Sequence, residues 1–168
     1  KQSEVFLDER LLLSPGLAVH ESYNMAVKMS DIARSCVLTA MGLMLSYDND
    51  KAADVKTEET ELDMYEDKLG SFLVKLSASA LSDNDSADVS KLLHNIGDFE
   101  RIGDHALNIR QSAKEMHEKG LTFSEHATEE VDLLFSALNE ILTLAMDSFK
   151  DDDLDKAARV EPLEQVID

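Results

Sequence analysis

Apolar residues in this chain recur at intervals of three and four over long stretches and almost never alternate, which predicts helices and no sheet. Ser14-Pro15 starts the first, with serine as N-cap and proline at the first helical position. That helix is expected from about 15 to 46, burying Ala26, Met29, Ala33, Val37, Ala40 and Met44. The turn Asp48-Asn49-Asp50 stops it and caps a second helix, about 51 to 79, with a seam of Val55, Leu62, Tyr65, Leu69, Phe72 and Leu76. A polar turn at 81–85 reverses the chain into a third helix, about 86 to 117, whose stripe is Ile96, Phe99, Ile102, Ala106 and Ile109. Gly120 ends it, and after a loop at 122–128 a fourth helix, about 124 to 149, carries Val131, Leu134, Leu138, Ile141, Ala145 and Phe149. Long helices joined by short turns make an all-α, antiparallel helical bundle. The apolar stretch within residues 1–13 is too brief to fold alone and serves as a lead-in segment.

The chain also repeats itself. Asp155-Lys156-Ala157-Ala158 copies Asp50-Lys51-Ala52-Ala53, and the same offset of 105 pairs Val160 with Val55, Glu164 with Glu59 and Asp168 with Asp63. It also aligns Ala145-Met146 with Ala40-Met41. The division that follows is a lead-in at 1–13, one complete three-helix unit at 14–120, and the first part of a second, truncated unit at 121–168. Pro162 stands where the first copy has Thr57, and it either kinks the stub or starts its helix late. The fourth helix, short of partners in a truncated unit, should pack onto the first three or pair with a second chain, so a homo-oligomer is expected.

Composition narrows the function. A net charge of −19 excludes nucleic acid as a partner and disfavours docking on anionic lipid. The one cysteine, Cys36, lies on an apolar stripe and reads as a small core residue, and no run is long enough for a membrane span. The seven methionines, spread at core spacing, read as filler. Only two prolines and six glycines interrupt the chain, as long helices require. It opens on Lys1 without a signal peptide, which predicts a piece excised from something longer.

The candidate chemistry lies in two acidic pairs. Glu100 and Asp104, four apart on the third helix, stack on one face beside the packing stripe, with Gly103 between them. Glycine in a helix interior costs about 1 kcal/mol relative to alanine, so its presence marks a close approach of a helix or ligand. Glu59 and Asp63 repeat the pattern on the second helix. The two motifs lie equally far from the intervening turn, so an antiparallel hairpin rising ~1.5 Å per residue brings them level. Four carboxylates converging this way require a cation: a metal, or Arg101, Lys56 or Lys68 in a salt-bridged acidic face. All-oxygen donors suit Mg, Ca, Mn or Fe, and less obviously Zn. His105, next to Asp104, is a further possible ligand, while His20, His94, His117 and His126 read as surface residues. The spacing of a di-iron oxidase is absent, since Gly103 and Leu62 stand three residues after Glu100 and Glu59. Neither a phosphate loop nor a nucleophile elbow is found, so the chain reads as no enzyme. A di-metal carboxylate enzyme and a metal-free dimerisation scaffold stay open as alternatives.

The run Glu100-Arg101-Ile102-Gly103-Asp104-His105-Ala106-Leu107-Asn108-Ile109 resembles the signature of the PhoU family of phosphate-signalling helical proteins. The resemblance extends over roughly residues 20–168 and implies tandem three-helix units binding a divalent or trivalent metal through Glu59, Asp63, Glu100 and Asp104. It also implies a half site at Glu164 and Asp168, with Arg101 and Asn108 orienting the acids. The N-terminal Phe6-Leu7-Asp8-Glu9-Arg10-Leu11-Leu12 and Ser14-Pro15, with Asp88-Val89-Ser90-Lys91 opening the third helix, resemble the branch fused to sodium/phosphate cotransporters. That implies a regulatory domain at the cytoplasmic face of the cell membrane, partnered by the transporter's own transmembrane part.

Overall fold

The computed structural model describes residues 7–152 and 154–167, with the side chain of residue 167 left aside. Its helices are α1 (Pro15–Leu45), α2 (Asn49–Ser77), α3 (Asp83–Glu118), α4 (Glu125–Asp151), α5 (Leu154–Ala157) and α6 (Val160–Ile167). No strand occurs among the described residues. Helices α1, α2 and α3 each pack on the other two, and α4 lies along α1. Cross-helix bonds give the directions. Ser35 Oγ donates to Glu58 at 2.7 Å, Arg110 Nε to the Ala52 carbonyl at 2.5 Å, and Arg34 to Asn139 at 3.3 Å. The later part of α1 thus meets the earlier part of α2, and the start of α2 meets the end of α3, so these helices alternate in direction. α4 runs against α1, with Tyr23 near the start of α1 bonded to Phe149 near the end of α4.

The ends are set by local chemistry. Asp48 accepts from the amides of Asp50 and Lys51 at 2.8 and 3.0 Å, Ser82 from Asp85 at 3.1 Å, and Ser124 from Ala127 at 3.2 Å. Each satisfies donors that a helix start leaves orphaned. α3 closes through Gly120 at φ +64°, with the Gly120 amide donating to His117 and that of Leu121 to Met116. These two bonds form a Schellman cap. Ser14 departs from expectation: it occupies the N-cap position of α1, but its side chain makes no capping bond. Pro15 carries that start alone, because its missing N–H is one of the orphans and its φ is already helical.

The predicted stripes of α1, α2 and α3 face the core. Met29, Leu62, Leu69, Leu76 and Ile96 are almost wholly buried, while Met44, Ile102 and Ile109 lie part-buried at its margin. Full burial of such a side chain contributes roughly 1.5–3 kcal/mol. Cys36 is buried and donates to the Val55 carbonyl at 3.5 Å, and burial pushes its thiol up to about 12, so it packs as an inert core residue.

α4 required a correction. Ala145 is exposed and Leu134 is 41% exposed, whereas Met146 is buried and Phe135, Leu138, Leu142 and Phe149 pack on the core. The apolar arc of α4 is wide enough for either edge to face inward. The choice is made by its far end, where Phe149 meets Tyr23 and Phe99 with ring centroids 5.5 and 5.3 Å apart. The Tyr23 hydroxyl donates to the carbonyls of Phe149 and Lys150, and Lys150 pairs with Asp31. α4 therefore takes the first of its two predicted options and docks on the three-helix core.

The lead-in residues Glu9–Leu13 form a 3-10 turn against α1 and α2. The Arg10 guanidinium folds onto Asp8 and holds its carboxyl down at about 2, and Lys75 pairs with Glu9. Near Pro162 the repeat of α2 is broken: α5 stops at Ala157 and α6 begins only at Val160, the late start that proline predicts.

The caps make unequal contributions. Asp48→Ala is expected to cost about 1 kcal/mol in urea unfolding, whereas Ser14→Ala should leave the midpoint unmoved. Equal losses would contradict the capping geometry.

Candidate metal centre

The two acidic pairs meet. Glu59 and Asp63 on α2 and Asp104 on α3 each offer a carboxylate oxygen, and these oxygens lie within 4.8 Å of one another. Glu100, one turn before Asp104, borders them and feels the charges of both Asp104 and Asp63. Glu59 is buried, Glu100 part-buried, and Asp63 and Asp104 open to solvent, so the cluster forms a trough with one wall in the core.

What brings them level is a single contact at the helix crossing. Leu62, wholly buried between Glu59 and Asp63, sits against Gly103, which lies between Glu100 and Asp104. A Cβ at Gly103 would stand 2.6 Å from Leu62 Cδ1, so any larger residue there requires Leu62 or the helices to shift.

Electrostatics record the crowding. Partial burial, then the charges of Glu59 and Asp104, raise the Asp63 carboxyl above its ordinary value. Glu100 is raised by burial, by the charge of Asp104, and by a hydrogen bond to Asp104 that retains its proton. Lys56 donates to Glu59 at 2.6 Å with half its own side chain exposed, so one cation already serves the buried acid. Asp63 and Glu100 remain shifted toward their neutral forms in spite of it. A carboxylate held in this way accepts a cation readily. Oxygens bound to one ion at about 2.0–2.6 Å lie no more than roughly 4–5 Å apart, so the donor set and its spacing fit a hard divalent ion.

Other expected participants stand apart. His105 is exposed and lies outside the cluster. Arg101 is exposed and pairs with Asp98 at 3.7 Å. Asp98 and Asp104 each stand three residues from Arg101, and its side chain turns to Asp98, one turn back. Asn108 is likewise exposed on α3. Glu164 is exposed on α6, and Asp168 lies outside the described residues, so the half site of the second copy is not assembled in view. Glu66 escaped sequence reasoning: it adds its charge to Glu100 from one turn beyond Asp63. The heptad-like position of Glu66 above Asp63 was the signal that could have found it. His20, His94, His117 and His126 are all exposed, and His117 stacks on Tyr47 with centroids 4.6 Å apart.

The PhoU domain model matches residues 26–113, just over half of the chain. The chain belongs to the PhoU domain family. The match takes in most of α1, all of α2, most of α3 and both acidic motifs, and it stops short of α4. No curated protein and no solved structure matches the chain. PhoU domains are regulatory rather than catalytic and point to a role in phosphate homeostasis. Among the described residues of this PhoU domain, no helix is long and apolar enough to cross a membrane.

The pH dependence follows from the raised carboxyls. Asp63 and Glu100 hold protons more tightly folded than unfolded, so the native state binds more protons and their contribution to stability grows as pH falls through their folded values. With chelator present, the melting temperature should rise as pH is lowered through the raised values of these two carboxyls. The rise should shrink when Glu100 is replaced by Gln. A melting temperature that only falls on acidification would contradict the crowded trough.

Proposed function

We propose that this PhoU domain is a metal-binding regulatory domain of a sodium-dependent phosphate transporter, acting at the cytoplasmic face of the membrane without chemical turnover. The observation that carries the metal reading is the convergence of Glu59, Asp63 and Asp104 oxygens within 4.8 Å, bordered by Glu100, inside the family's matched segment. The residues would hold a divalent or trivalent ion, of which Mg, Mn, Ca and Fe suit oxygen donors best. The bound ion would replace the internal cation Lys56 and cross-brace α2 and α3. Its occupancy then sets how rigid that hairpin is, and a rigid hairpin presents a defined surface to a partner. The partner in this reading is the transmembrane part of the same transporter, and the support is the likeness of residues 6–12 and 88–91 to the cotransporter branch. Self-association would use the exposed flank of α4 that carries Leu133 and Leu134.

A second reading rests on the Lys56–Glu59 pair: the acids form a salt-bridged face of a metal-free scaffold. Elemental analysis separates the two. Protein purified without added metal is expected to carry at least one ion per chain, reduced severalfold in Glu100→Ala and Asp104→Ala. Lys56→Met sharpens the contrast. On the metal reading it raises affinity for the ion by removing a competing cation; on the scaffold reading it only destabilises, by up to about 1 kcal/mol. Metal-free protein that also ignores added Mn2+ and Mg2+ would leave the scaffold standing.

A further inference from the structure

We propose that Gly103 is a positioning residue that sets which size of ion the α2–α3 trough prefers. The inference rests on the metal-binding reading above. Gly103 has no side chain to touch an ion; it acts through the distance between two helices.

Of the glycines in the bundle, only Gly103 is in tight contact across an interface. Gly16, Gly42 and Gly97 have nothing within 4 Å of an added Cβ, and Gly70 would meet Ile96 at an ordinary 3.6 Å. At Gly103 the overlap is 2.6 Å to Leu62 Cδ1, with Leu62 Cβ and Cγ at 3.7 Å behind it. Leu62 is 0% exposed, so its rotamer is held by the core and its tip has no free space to turn into. With that tip confined by the core, a larger residue at 103 is relieved by α3 moving away from α2 rather than by Leu62 turning aside.

The residues flanking this contact are the acids themselves. Glu59 and Asp63 bracket Leu62, and Glu100 and Asp104 bracket Gly103. A displacement at the contact moves the backbone beneath the α2 and α3 carboxylates in the direction that widens their span. Ordinary contact begins at 3.4 Å, so relieving the overlap requires a shift comparable with, or larger than, the ~0.4 Å by which calcium–oxygen distances exceed magnesium–oxygen ones. The bare glycine thus holds the trough narrow, on the side of the smaller ion.

The test is calorimetric titration of chelator-stripped full chain with MgCl2 and, separately, CaCl2, reading the ratio of the two dissociation constants. Gly103→Ala is expected to move that ratio about tenfold toward Ca2+. The double variant Gly103→Ala/Leu62→Ala, which removes the obstruction, should restore it to within about twofold of the parent. Gly97→Ala, on the same helix with open space, controls for helix propensity and should leave the ratio unchanged. A purely structural role would weaken both ions alike, so an unchanged ratio in Gly103→Ala overturns the inference, as does an equal shift in Gly97→Ala. Should Gly103→Ala fail to fold, Leu62→Ala alone carries the test: emptying the contact lets the helices close, and the ratio moves toward Mg2+ or the inference falls. Binding of neither ion by the parent chain would defeat the metal reading itself, a different outcome from binding without a change in preference.

Discussion

The contact of Leu62 with Gly103 is the constraint from which the centre of this molecule follows. It sets the register of α2 against α3, the distance between their axes and the height at which four acidic residues meet. Hydrophobic burial supplies the drive, since Leu62 lies in the core beside Tyr65, Leu69 and Ile96. Glycine supplies the precision, at a helix-propensity cost that packing offsets. The acids gain nothing by meeting; they are carried together by apolar residues one position away, and the raised Asp63 and Glu100 record the burial and the repulsion that result. A site strained in this way is typical of function, because packing energy from elsewhere maintains it.

Much of this was legible in the sequence. Helix type, the four long helices, the seams of α1 to α3, the cap within the Asp48 turn and the levelling of the two motifs all follow from period and spacing, whereas the caps at Ser82 and Ser124 came only with the structure. They are legible because each depends on residues close in sequence or on simple hairpin symmetry. The inward face of α4 was not. Its apolar arc is broad, and the edge that docks is decided by Tyr23, Phe99 and Phe149, which come from three helices. Nor was the behaviour of Arg101, which spacing put within reach of both Asp98 and Asp104. Side chains on an exposed face choose partners by rotamer, and the helical period does not encode rotamers.

Lys56 gives the trough two states of charge compensation. With the lysine engaged, the buried end at Glu59 is neutralised while the open end at Asp63 and Glu100 keeps its protons more tightly than free carboxyls do. An incoming ion would act at the open end first, where solvent reaches Asp63 and Asp104. An ion held there, as proposed, would displace these protons on binding, and its affinity would weaken as pH falls.

The hairpin geometry has a consequence for how this fold tolerates insertions and deletions. The turn at 78–82 connects two arms whose register is held by the Leu62 contact, not by the turn, so its length is free to vary. Within the arms the opposite holds. One residue added between Leu62 and the turn rotates everything beyond it by about 100°, so that either the core seam or the acidic face of α2 must point the wrong way. Length changes in this hairpin should therefore be confined to its tip.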